Sequence, residues 1–231
     1  MPILNVSEKK IDSKISVGER TAVVENIKYP HFDVESEKYK KLCDKMNSFY
    51  AKIAEKYSSY ARIGLVKKIR KNMRLCKLPM CLSMKYAVSE CGEKIVSVVL
   101  DLSFSEGKRI KMRRFSQMWH LDKLDIILLR DVLKLDIKNK KMLWEKVVEK
   151  AFTEINKGNK EYFDDAEQRV RKHFCFNNSF ITPKGVAFFF DSGTLRPEKY
   201  GACCFVVPFR TVRDIINPVY FDLPQDSDGD L

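Results

Sequence analysis

The chain has 231 residues, of which 45% are hydrophobic, and a formal net charge of +12. That apolar content excludes disorder over the whole length and suffices for one domain or two small ones. Without Asp222, Asp226, Asp228 and Asp230 near the C-terminal end, the body carries about +16, a surplus that either keeps the surface solvated or attracts an acidic partner.

The longest apolar runs, around Ile126–Leu129 and Val186–Phe190, fall far short of the roughly 18–20 residues that a membrane-spanning helix needs. The opening Met1-Pro2-Ile3-Leu4-Asn5-Val6-Ser7 lacks the basic flank of a secretory leader. Seven cysteines (Cys43, Cys76, Cys81, Cys91, Cys175, Cys203 and Cys204) follow no regular spacing, and several sit inside apolar patterns. Such usage points to free thiols in a reducing compartment, so a cytoplasmic protein is expected.

Residues 1–18 are polar and without periodicity, and read as a flexible N-terminus. Glu19–Tyr29 alternates loosely and reads as a strand stopped at Pro30, which has no N–H to donate. Tyr39, Leu42, Cys43, Met46, Phe49, Tyr50, Ile53 and Tyr57 then recur at three- and four-residue steps, predicting an amphipathic helix with lysines on its outer face. Arg62–Lys77 holds seven cations and no acid. As a helix it would align Lys67, Arg70, Lys71 and Arg74, with Lys68 beside them, along one repelling face.

From Leu78 the period changes to two. Pro79–Ser89, Lys94–Phe104 and Lys108–Trp119 predict a meander with turns at Glu90-Cys91-Gly92-Glu93 and Ser105-Glu106-Gly107. Its third strand projects Arg109, Lys111 and Arg113 from one face. Asp122–Leu135 reads as a short helix or turn, Asn139–Asn156 as a second amphipathic helix capped by Gly158, and Glu161–Arg171 as a third helical piece. Phe180-Ile181 and Val186–Phe190 flank the turn Thr182-Pro183-Lys184-Gly185. Phe205–Pro208 is a last strand and Phe209–Ile216 a short helix. This order predicts an α+β fold in which antiparallel sheets pack against two amphipathic helices. The expected organisation is a flexible 1–18, an α+β region 19–120, a second α+β region 121–221 and an acidic flexible tail 222–231.

The segment Asn178-Ser179-Phe180-Ile181-Thr182-Pro183-Lys184-Gly185-Val186-Ala187-Phe188-Phe189-Phe190 resembles the aromatic hairpin of the RsiV/PdaC-like families. Pro197, Gly201 and Val207-Pro208-Phe209 stand where the resemblance places a loop and a strand end. Upstream, Ile27-Lys28-Tyr29-Pro30 with Asn47 on the following helix, and Ser116-Gln117-Met118-Trp119-His120-Leu121, resemble that family's opening strand and a later strand end. The chain departs from the family in two loops. The Gly-Gly-Ala-His turn is missing, and Gly193-Thr194-Leu195-Arg196-Pro197-Glu198-Lys199-Tyr200 replaces an acidic-Ile-Ala-Pro-Tyr loop. The resemblance implies an α+β scaffold and a non-catalytic role, since known members include an anti-sigma factor ectodomain that binds lysozyme and an accessory region of a peptidoglycan deacetylase.

Catalytic chemistry finds little support in the sequence. No phosphate-binding glycine loop, nucleophile elbow or zinc-protease motif is present. Cys76, Cys81 and Cys91 lack a second close pair or a nearby His, and Asp226, Asp228 and Asp230 lack the rest of a calcium loop, so no metal and no cofactor is expected. Of His31, His120 and His173, His120 beside Trp119 is the candidate functional histidine, and a triad with Cys203 or Cys204 is the enzymatic alternative. The leading expectation is a protein-interaction or ligand-recognition module with a protein partner. The alternative is nucleic-acid or anionic-polymer binding through Lys67, Lys68, Arg70, Lys71, Arg74, Arg109, Lys111 and Arg113, and a hydrolase centred on a histidine is the third reading.

Overall fold

The computed structural model describes residues 4–91, 94–157 and 161–220. Its larger sheet has six strands in sequential order: β1 Asn5–Val17, β2 Arg20–Asp33, β3 Met80–Cys91, β4 Ile95–Glu106, β5 Arg109–His120 and β6 Asp125–Ile127. A smaller antiparallel sheet contains β7 Ser179–Thr182, β8 Gly185–Phe190 and β9 Cys203–Pro208. The architecture is α+β, with sheets packed against helices. β2 and β3 pair in parallel, because the helical crossover between them brings the chain back in the same direction.

That crossover comprises α1 Glu37–Ser59, a π-helical turn Tyr60–Leu65 and α2 Val66–Asn72. The apolar stripe read from sequence is the buried face of α1, where Leu42, Met46, Tyr50 and Ala54 are fully buried. They meet Ile27, Met84, Val96, Val98, Leu100 and Trp119 of the large sheet. Asn47 fixes the docking, since it accepts the Phe32 N–H at 2.7 Å and donates to the Phe32 carbonyl at 2.8 Å. A side-chain amide thus supplies both bonds that a neighbouring strand would have given.

The opposite face of the large sheet carries the small one. Ile181 donates its N–H to Ser97 Oγ at 3.1 Å, and Ser116 Oγ donates to the Ser179 carbonyl at 2.7 Å. α4 Ile137–Ile155, capped by Asp136 accepting from the Asn139 N–H at 2.7 Å, then packs on β9. Shorter helices α3 Leu129–Val132, α5 Ala166–His173 and α6 Phe209–Val212 close the second core.

Three expectations need correction. Residues 5–17 are not a flexible end but β1, paired along its length with β2. β2 does not stop at Pro30, which lies opposite Glu8 in the ladder. The even-numbered Phe32 directs its N–H and C=O away from β1 to Asn47, so Pro30, two residues earlier, presents its missing N–H to that same outer edge. Pairing with β3 runs only from Val23 to Ile27, and the proline therefore costs no ladder bond. Finally, Asp122–Leu135 includes β6 as well as α3, which extends the large sheet past residue 120. The Gly158 cap and the acidic tail 222–231 fall outside the described residues.

Candidate functional site

α1 crosses the large sheet diagonally. Near its start Lys38 and Tyr39 reach Asp122, and Lys45 bonds Asp125 at 2.6 Å, all beside the end of β5. Beyond its end Arg62 approaches Glu25 on β2 at 3.8 Å. A helix on that diagonal leaves one corner of the β4–β5 surface uncovered. There lies a groove of about 560 Å³, within the size range of small-molecule sites.

Strand alternation builds the floor. Val98, Leu100 and Leu102 of β4 and Phe115 and Gln117 of β5 all point to the α1 side. The wall is a second stripe on α1, formed by Phe49, Ile53, Tyr57 and then Tyr60, one helical step from the fully buried stripe. Tyr57 hydroxyl donates to the Ser103 carbonyl at 2.8 Å and holds the wall to the floor. Phe115 and Tyr60 remain 51% and 53% exposed at the mouth. Apart from Lys56, Gln117 and Ser116 the lining is apolar or aromatic.

The basic residues gather beyond one end of this groove. In the β4–β5 register Leu100 faces Phe115, Leu102 faces Arg113, Phe104 faces Lys111 and Glu106 faces Arg109. Arg109, Lys111 and Arg113 therefore continue the row that holds Phe115, and all three are exposed. Lys68 of α2 reaches the same corner, with its ammonium 3.0 Å from Glu106. The two basic segments read separately from sequence thus meet at Glu106. Lys67, Arg70, Lys71 and Arg74 are exposed, and none of them lines the groove. Among the described residues none of Arg109, Lys111 and Arg113 has an ion-pair partner. Arg114, one residue on, points to the other face and is held by Asp101 through two bonds of 2.7 Å.

His120 lies elsewhere. It is 1% exposed on the face away from α1, and Tyr220 covers it edge-on with ring centroids 5.8 Å apart. Nδ1 accepts the Lys123 N–H at 3.3 Å, while Nε2 has no hydrogen-bond partner among the described residues. No thiol, hydroxyl or carboxylate bonds it there, so the structure does not assemble the triad alternative. Cys203 and Cys204 lie on β9, and burial raises the Cys203 thiol. His31 is half-buried in β2, and His173 is exposed at the end of α5. Among the described residues no three His, Cys, Asp or Glu side chains converge as a metal site.

Burial lowers the His120 pKa below its ordinary 6.5; Asp122 opposes this, and Lys123 and Lys94 add to it. The unfolded chain therefore takes up the proton more readily than the folded one. The stabilisation is fully present above the unfolded value and is lost as pH falls through the folded value. Urea unfolding at about pH 7.5 and about pH 5.5 is expected to show a larger loss for the native protein than for His120→Asn. Equal losses would remove His120 as the cause.

Comparison with known proteins places the fold. No family model matches the chain, and no curated protein does. Among solved structures, a member of the DUF3298 family from Bacteroides fragilis is 10% identical, covers 95% of this chain and 96% of its own, and superposes with a TM-score of 0.65. A DUF3298 family protein from Pseudomonas aeruginosa is 14% identical, with 94% and 97% coverage and a TM-score of 0.59. The chain therefore has the DUF3298-type α+β fold over nearly its whole described length.

The groove was only half visible in the sequence. Phe115 stands out there as an aromatic residue among cations, but Phe49, Ile53 and Tyr57 read as ordinary core. The available signal was stripe width. α1 carries two adjacent apolar rows, more than one sheet contact covers.

Proposed function

We propose that this chain is a non-catalytic ligand-recognition module on an RsiV/PdaC-like scaffold, working in the cytoplasm, with the α1–β4–β5 groove as its recognition surface. One observation carries the reading. A preformed, mostly apolar groove opens beside Arg113, Lys111 and Arg109, none of which has an ion-pair partner among the described residues. Phe115 and Tyr60 stay half exposed at its mouth, so a ligand can reach the apolar lining. The irregularly spaced cysteines, with Cys43 and Cys203 buried as free thiols, fit a reducing compartment.

A naphthalene-sulfonate dye is expected to bind at one saturable site and to brighten on entering the groove. Ile53→Glu, which puts a charge on a half-buried wall position packed against the core, is expected to abolish that binding and to lower the thermal midpoint while the melt stays cooperative. Dye binding that survives Ile53→Glu unchanged would overturn the assignment.

The convergence of Lys68 and Arg109–Arg113 at Glu106 supports a second reading, binding of an anionic polymer such as single-stranded nucleic acid. Gel shifts at two salt concentrations test it. The polymer reading requires binding at low salt that weakens as salt rises, and requires it to persist in Ile53→Glu.

A further inference from the structure

We propose that the groove holds one long-chain carboxylate, with its acyl chain between α1 and β4–β5 and its carboxylate on Arg113. The inference rests on the groove being the recognition surface and names what occupies it.

The direction of the ligand follows from how polarity changes along β5. Trp119 is fully buried beneath α1, Gln117 and Phe115 line the groove, and Arg113 is the next side chain on the same face. Successive same-face positions stand roughly 7 Å apart on a strand, so the surface passes from apolar to cationic within one such step beyond Phe115. Lys111 lies one step further, and Lys56 of α1 borders the groove from above. A molecule with an apolar body and one anionic end matches that gradient. An uncharged lipid leaves Arg113 unused, and a hydrophilic anion leaves the groove's hydrocarbon surface uncovered.

Chemistry at the head end favours a carboxylate. Guanidinium nitrogens present a planar fork that fits the two oxygens of a carboxylate with parallel hydrogen bonds. Arg113 has no ion pair among the described residues, whereas Arg114 has already spent its fork on Asp101. The cavity volume suits a single chain rather than a protein element. A second copy of this chain is opposed by charge, because each copy brings +12 to the contact.

Calorimetric titration of the full-length protein with palmitate, methyl palmitate, palmitoyl lysophosphatidate and a single-stranded oligonucleotide tests the proposal. Palmitate is expected to bind one to one, and Arg113→Gln is expected to weaken it about tenfold or more through loss of the charge-assisted bonds. Methyl palmitate is expected to bind more weakly and to be indifferent to Arg113→Gln. Ile53→Glu is expected to block both. If the naphthalene-sulfonate dye binds and Ile53→Glu displaces it while palmitate fails to bind, the carboxylate assignment is wrong and the groove reading stands. If neither dye nor palmitate binds, both fall. Lysophosphatidate binding more tightly than palmitate would overturn the choice of headgroup. Oligonucleotide binding that is lost in Arg113→Gln but kept in Ile53→Glu would assign the cations to a polymer instead.

Discussion

Trp119→Ala is expected to cost about 3–5 kcal/mol, measured as a lowered midpoint in urea unfolding, because a large buried aromatic is removed and a cavity remains. Trp119 is fully buried, meets Phe49 edge-on with centroids 5.5 Å apart, and donates its indole N–H to the Tyr50 hydroxyl at 2.7 Å. This pair ties α1 directly to β5. Total stabilities run to about 5–15 kcal/mol, so the loss takes a large share of the fold. Tyr50→Phe separates packing from hydrogen bonding. It keeps the ring but strands a buried N–H, and is expected to cost about 1–3 kcal/mol. Costs of under about 1 kcal/mol for Trp119→Ala would mean that α1 is not held where the structure places it.

Gly185→Ala is the second large effect. Gly185 begins β8 with φ at +150°, and a Cβ there would stand 2.1 Å from the Val207 carbonyl oxygen and 2.9 Å from Pro208 Cα. Both obstacles are backbone, so no side chain can swing aside. The β8–β9 ladder, which begins at Gly185 and Pro208, must separate locally. Overpacking typically costs about 1–3 kcal/mol, and a backbone obstacle places this substitution at or above the top of that range. The groove lies on the far side of the large sheet from this hairpin. Below the unfolding transition, folded Gly185→Ala protein is therefore expected to bind the dye like the native chain. A variant as stable as the native protein would contradict the close approach of β8 and β9.

The elements with two distinguishable faces were legible in the sequence. α1 and α4 showed helical apolar spacing, and β3, β4 and β5 showed period-two patterning, although the first half of β4 is buried on both faces, between α1 and the small sheet. β1 was not legible for a physical reason. It is an edge strand whose only half-buried positions are Ile11, Ser13, Ile15 and Val17, and Lys9, Lys10 and Lys14 face water. Charged edges protect a sheet from adding strands, and here Asn5–Lys10 is exposed throughout, which leaves only the short alternation Ile11–Val17, diluted by Ser13, to read. Pro30 misled for a related reason, because its effect depends on which edge its missing N–H faces, and that depends on tertiary pairing. The parallel β2–β3 pair was likewise invisible locally, since it is made by the crossover.

At the site, the sequence disclosed the cations but not their neighbour. Arg109, Lys111 and Arg113 were readable as one strand face, and Lys67–Arg74 as a basic segment. Their meeting at Glu106 required the fold. His120 stood out through its place beside Trp119, yet adjacent residues on a strand point to opposite faces. Trp119 faces the helix that walls the groove, and His120 faces the second core.

The central claim is that ligand enters between α1 and the β4–β5 corner. Isotope-edited NMR on protein labelled at Ile, Leu and Val methyls, with unlabelled palmitate added, tests it most directly. The account predicts intermolecular NOEs from the acyl chain to Ile53, Val98, Leu100 and Leu102. NOEs confined to methyls elsewhere, such as Val6 and Val88 beside β1, would contradict it.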